Sequence, residues 1–197
     1  MTTTHTVRTY KSSEPLAATD QLAGKLAALA AEQDRPLDDA AVDMVINRVI
    51  DNAAVATASI GRAPVVSARG QAEAHPYTSG ATVFGLPQTQ RVSPEWAAWA
   101  NGVAVRELDY HDTFLAADYS HPGDNIPPVL AVAQAMGKSG RDFLRGAATG
   151  YELHINLVRA ICLHEHRVDH IAHLCPASAA AIGTLLGLKQ EVVFQSI

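Results

Sequence analysis

The chain has 197 residues, 48% of them hydrophobic and 18% charged, which is enough apolar material for one sizeable core and too much for a disordered segment. Its formal charge of -5 is spread in mixed signs, so no basic stripe offers the surface that nucleic-acid binding needs. There is no membrane-length apolar run, the N-terminus Met-Thr-Thr-Thr-His-Thr lacks the charged head and apolar stretch of a signal peptide, and the two cysteines, Cys162 and Cys175, form no CxxC pair and are too few for an iron–sulfur cluster; the expectation is a cytoplasmic protein with no nucleic-acid or membrane partner.

Residues 1 to 14 are polar and aperiodic and read as a flexible tail or a strap, with one domain over 15 to 197. From Pro15 to Glu32 the residues Leu16, Leu22, Leu26 and Leu29 predict a helix, and Pro36 opens a second with Asp38 and Asp39 in its first turn. Val42, Val45, Ile46, Val49, Ile50 and Ala53 give that helix its apolar stripe, and Gly61 stands where it should end. Arg62 to Val92 is rich in Gly, Pro, Ser and Thr, which predicts loops with at most short strands.

Ser93-Pro94-Glu95 starts a helix towards Leu108, with Ser93 as its cap and with Trp96 and Trp99 as core or interface anchors. Ile126-Pro127-Pro128 opens another that Gly137 ends, and Ser139 to Asp142 resembles a capping box for a long helix reaching Cys162. An Ala-rich helix over 176–186 closes on Gly187, and a last amphipathic segment runs to Ile197 without a polar tail, as in a chain cut before its enzyme is complete. The fold class is therefore mainly α, a helical bundle-like domain with small residues on many helix faces.

Two connectors concentrate ionisable groups. The first, Asp109 to Asn125, holds two His and four Asp and runs into a helix N-terminus, a place suited to a carboxylate or phosphate. Read blandly, the same residues punctuate a surface turn with Asp124-Asn125 as a cap. The second holds His164, His166, His170 and His173. On a helix, His166 and His170, or His170 and His173, would share a face and could bind zinc with Cys175 as a further ligand, but without a HExxH motif a polar turn is the preferred reading. Gly80, Gly85, Gly102 and Gly123 form no nucleotide-binding pattern, and Tyr151-Glu152 reads as part of a helical turn.

At the first connector the residues Asn101-Gly102-Val103-Ala104, Leu108-Asp109-Tyr110-His111-Asp112-Thr113 and Ser120-His121-Pro122-Gly123-Asp124-Asn125-Ile126 resemble the MmgE/PrpD family, with its NG…LD-aromatic-x-D-T…HP run. Gly80-Ala81-Thr82-Val83, Ser93-Pro94-Glu95, Gly150-Tyr151-Glu152 and Leu186-Gly187-Leu188 extend the resemblance over most of the chain from about residue 15. The resemblance implies a large helical domain with a smaller α/β domain later in the chain, a homodimer, no metal and no other cofactor. It implies dehydration of 2-methylcitrate, a small tricarboxylate of the methylcitrate cycle in propionate catabolism. Family alternatives are decarboxylation of cis-aconitate or isomerisation, and the chain alone could be an inactive helical module that dimerises.

By the same resemblance Asp109, His121 and His170 match catalytic residues, with His173 as substitute for His170, and Thr113 lies beside them in the pocket. Asp112, Gly123 and Asn125 complete the expected substrate contacts. The expected chemistry is acid/base work shared by His121 and His170, whose ordinary pKa lies near neutrality, with Asp109 orienting an imidazole and amides after Asn125 holding a carboxylate.

Overall fold

The computed structural model describes residues 4–197, so the first three residues of the expected tail lie outside the described residues. Among the described residues eight helices form and strand is scarce; the chain is mainly α, as expected. Residues 4 to 17 carry no regular element and are largely exposed, with Arg8 paired to Glu14.

Helix α1 spans only Leu22–Ala30. The expected start at Pro15 is wrong because Ala18–Asp20 forms a 3-10 turn, with Gln21 Nε2 donating to Leu16 O at 2.8 Å; Thr19 and Asp20 favour such turns over a helix interior. Helix α2, Asp39–Ala58, is capped by Asp38, whose Oδ1 accepts from Ala41 N at 2.6 Å. It stops before Gly61, at Ser59, whose buried hydroxyl donates to Ala104 O at 2.6 Å. The stripe is also turned: Val45, Asn52, Val55 and Ala56 are buried, whereas Ile46 and Ile50 are 43% and 61% exposed.

The expectation of loops over 62–92 fails at its beginning. Helix α3, Ala63–Glu73, starts with Pro64 in its first turn and buries Val65, Ala68 and Ala72, a helical spacing that its Gly and Ser content obscured. Strand β1, Pro76–Ala81, follows and is bridged to Val92. Helix α4, Pro94–Arg106, has Pro in its first turn as expected, but Ser93 makes no cap bond and its hydroxyl is buried without a partner.

The remaining helices are α5 (Ile126–Ala135), α6 (Gly140–Ala160), α7 (Leu174–Leu186) and α8 (Gln190–Ser196). The capping box of α6 forms, Ser139 N donating to Asp142 Oδ2 at 3.0 Å and Asp142 N to Ser139 Oγ at 3.2 Å. Gly187 ends α7 in the left-handed region, φ +69°.

Small residues set the helix spacing. Along the α6–α7 seam a methyl on Gly146 would stand 2.9 Å from Ala181 O, and one on Gly150 would stand 3.1 Å from Ala181 Cβ, so the two backbones approach as closely as Gly and Ala permit. One apolar cluster joins α3, α4, β1 and Ala131 of α5; another joins α1, α6, α7 and α8. Helix α5 belongs to both sides, because its Val129 and Ala133 pack on Ala181 and Leu185 of α7. The α4–α5 and α6–α7 connectors therefore come from opposite sides of the core and meet at one end of it.

Candidate functional site

The first connector leaves α4 at Arg106 and turns through Asp109, a non-glycine residue at φ +51°. Strands β2 (Phe114–Leu115) and β3 (Tyr119–Ser120) then pair antiparallel, and a buried 3-10 turn, Pro122–Asn125, leads into α5. The second connector is two 3-10 turns, His164–His166 and His170–His173, broken by Arg167 at φ +57°. That break separates His166 from His170 and removes the helical face the two would have shared, whereas His170 and His173 stay on one 3-10 turn with His173 Nε2 given to Ile161 O. Cys175 is exposed beyond it.

The hairpin and the second connector bring His121 and His170 together, their ring centroids 5.8 Å apart. His121 is fixed by its Nδ1, 3.1 Å from Asp112 O and 3.4 Å from Thr113 Oγ1. Its Nε2 lies 3.5 Å from Asp109 Oδ1, whose side chain is largely exposed. Burial lowers the pKa of His121 below its ordinary 6.5, and neighbouring His111 adds to the effect. His170 is buried, yet both ring nitrogens lack a hydrogen-bond partner; its Nδ1 is 3.2 Å from Asp169 Oδ1 but outside hydrogen-bond geometry. Tyr119 packs on the His170 ring at 4.5 Å.

His173, the sequence substitute for His170, is placed differently. Its Nε2 binds Ile161 O at 3.1 Å, and its ring neighbours His154 at 6.5 Å.

Asp112, Gly123 and Asn125 form the frame beneath the histidines. Asp112 Oδ1 accepts from Gly123 N at 2.9 Å, and burial raises the Asp112 pKa although Tyr151, Arg48 and the Gly123 amide oppose it. A methyl at Gly123 would collide with Asp112 Oδ1 and stand 2.7 Å from Asn52 Nδ2, so only glycine lets these groups converge. Asn125 is wholly buried, donating to Pro122 O at 2.9 Å and to His154 Nδ1 at 3.0 Å while accepting from Ser178 Oγ at 2.8 Å. It makes no cap bond, and Pro127 and Pro128 remove two of the amides expected to receive a carboxylate.

Residues that sequence reasoning missed surround this frame. His111 stacks on His121 at 4.5 Å, and its Nε2 lies 2.9 Å from Asp124 Oδ1, while Arg106 Nη1 reaches Asp124 Oδ2 at 3.3 Å. His154 is 1% exposed, and burial, then His173, lowers its pKa to about 4. Asp118 takes hydrogen bonds from Tyr119 N, Leu163 N and both His164 Nδ1 and His164 N; burial opposes them, yet they hold its carboxyl at about 2. The only sequence signal for Asp118 was an acid between apolar and aromatic neighbours, which says nothing about a partner 45 residues away.

Among the described residues, Asp109, His111 and His121 offer ligand atoms within 4.8 Å of one another and could together hold a cation. His111 Nε2 is already given to Asp124 in that arrangement. Among the described residues no helix is long and apolar enough to cross a membrane.

Residues 20–197 match the MmgE/PrpD N-terminal domain. The chain is 30% identical over 132 residues to a protein named probable 2-methylcitrate dehydratase in Saccharomyces cerevisiae, a match covering 60% of this chain and 25% of that one. It is 30% identical over 123 residues to the 2-methylcitrate dehydratase of Escherichia coli O157:H7, covering 57% of this chain and 26% of that one. A fungal alkylcitrate dehydratase is 28% identical over 129 residues, covering 58% and 26%. The chain thus matches about a quarter of the length of these relatives.

Proposed function

The chain belongs to the MmgE/PrpD family, and from that premise we propose that it is the N-terminal helical part of a cytoplasmic, homodimeric hydro-lyase that removes water from 2-methylcitrate. One observation carries this reading: two buried imidazoles from separate connectors lie with ring centroids 5.8 Å apart, His121 with no hydrogen bond on its Nε2 and His170 with no hydrogen-bond partner at all. A buried polar group left unpaired costs about 1–3 kcal/mol, which a substrate that pairs with His170 would recover.

In this mechanism His121 is the base. Its Nδ1–H donates to Asp112 O, so the lone pair sits on Nε2, and burial keeps the ring neutral near pH 7. Nε2 takes the proton from the carbon next to a substrate carboxylate. The electron pair forms the new double bond as the C–O bond on the neighbouring carbon breaks, and His170 donates the proton with which the hydroxyl leaves as water. Asp109 steadies the imidazolium that forms at His121, and the exposed Thr113 hydroxyl contacts substrate. Asp112, Gly123 and Asn125 support the reaction from beneath and not through substrate contact.

The test is turnover by the complete enzyme, read as absorbance of the new conjugated double bond, with 2-methylcitrate and cis-aconitate supplied side by side. His121→Ala is expected to lower kcat by about 100-fold or more while helical circular dichroism is unchanged. Because the base must be neutral, kcat/KM should fall with decreasing pH along a limb centred below 6.5. Full activity in His121→Ala would overturn the assignment, and decarboxylation of cis-aconitate without dehydration would replace the substrate.

A further inference from the structure

We infer that Asp118 is a positioning residue, the latch that holds the His170 segment over His121. The inference rests on the acid/base reading of that pair for its catalytic consequence, and on the connectors' own bonding for the rest. Among the described residues, every hydrogen bond between the first connector, 107–125, and the second, 161–173, ends on the Asp118 carboxylate. Oδ1 accepts from His164 Nδ1 at 2.7 Å, and Oδ2 accepts from Leu163 N at 2.9 Å and His164 N at 3.4 Å.

Apart from bonds inside the second connector, such as His173 Nε2 to Ile161 O, no other side-chain hydrogen bond among the described residues holds the segment of His170. Its ring makes no hydrogen bond, and its segment consists of 3-10 turns, which hold themselves less firmly than an α-helix. Tyr119, next to Asp118, lies against both His164 at 5.0 Å and His170 at 4.5 Å and so works as a spacer between the latched residue and the acid. The Asp118 side chain is 2% exposed while His164 is 45% exposed, which places the removable half of the latch at the surface. Charge-assisted bonds of this kind are stronger than neutral ones and fix geometry to the fraction of an ångström that proton transfer needs.

His164→Ala removes the side-chain bond of the latch from its exposed side, where the fold is least at risk, and leaves the two backbone amides on Asp118 without that support. In the 197-residue chain, amide hydrogen exchange at residues 163 and 164 should accelerate by about tenfold or more, with the α6 amides unchanged, and the cross-peak between the His121 and His170 rings should weaken. His164→Asn, whose side-chain amide reaches the Nδ1 position, should restore both. Glu165→Gln, exposed on the same turn, should leave both unchanged. In the complete enzyme His164→Ala should lower kcat by about 100-fold with KM little changed, again rescued by His164→Asn. Unaltered exchange in both His164→Ala and Asp118→Asn would overturn the latch. Accelerated exchange in an enzyme whose wild type turns over no citrate-like substrate would keep the latch and discard the acid/base reading.

Discussion

The polar residues beneath the site divide by what burial does to their charge. His154 is enclosed between Asn125 and His173, and its pKa falls from 6.5 to about 4, so the folded chain resists its protonation while the unfolded chain does not. Between those two values the unfolded state binds the extra proton, and stability must therefore decline as pH falls from 6.5 towards 4 and stay level above 6.5. One pKa unit is worth about 1.4 kcal/mol, which puts the His154 contribution at about 3 kcal/mol. His121 and His173, both lowered chiefly by burial, act in the same direction. Asp118 acts later: held at about 2, it contributes stability that persists above its ordinary 3.8 and is lost only below it. Urea unfolding from pH 7.5 to 4 should show this slope. His154→Gln, which keeps an acceptor for the Asn125 amide, should flatten it; an unchanged slope in that variant would show that His154 protonates freely in the folded chain.

At the scale of elements, α2 shows how periodicity identifies a helix without orienting it. Its inward side carries Val45, Asn52, Val55 and Ala56, and the outward side keeps Ile46 and Ile50. Val45→Ala should cost about 2 kcal/mol by chemical denaturation, and Ile50→Ala should stay within about 0.5 kcal/mol; equal costs would mean that the helix is rotated. Helix existence was legible where a marked start led into good helix formers, as at Pro94 and Ser139. Helix α3 was not, because Ser67 and Gly70 carry little intrinsic preference and the element is stabilised by packing Ala68 and Ala72 on α4. The seam of α6 on α7 makes the same point in reverse. Gly150 looks like a weak helix residue, yet its missing side chain admits Ala181 and the Asn125 amide, at 3.3 Å from where a methyl would stand. Gly150→Val should destabilise the fold by about 1–3 kcal/mol and disturb the Asn125–His154 bond; a variant as stable as wild type would show that the seam has slack. In the site, the residue types were visible in the sequence, but the Asp118–His164 bond was not, since it joins segments that only the folded core brings together, nor was the His111–Asp124 bond, which depends on the hairpin between them.

For the whole molecule, the charge around the two histidines limits what these 197 residues do alone. Asp109, Asp112, Asp118, Asp124 and Asp169 all belong to the two connectors, whereas the guanidinium groups beside them, Arg48 and Arg106, already lie 3.9 Å from Asp112 and 3.3 Å from Asp124. The four lysines, Lys11, Lys25, Lys138 and Lys189, fall outside both connectors. A tricarboxylate brings negative charge into this setting, and each uncompensated like-charge contact near a protein surface costs about 4 kcal/mol at 4 Å. Arg167, exposed in the second connector, is the one arginine there, so the proton-transfer groups proposed here are poorly supplied with cations to offset a tricarboxylate. The purified chain should therefore bind citrate no more tightly than about 1 mM at pH 7.5 by calorimetry and should not dehydrate 2-methylcitrate, although its histidines are already in place. Micromolar binding or measurable turnover would mean that the histidines with Arg48, Arg106 and Arg167 alone offset the charge of a tricarboxylate.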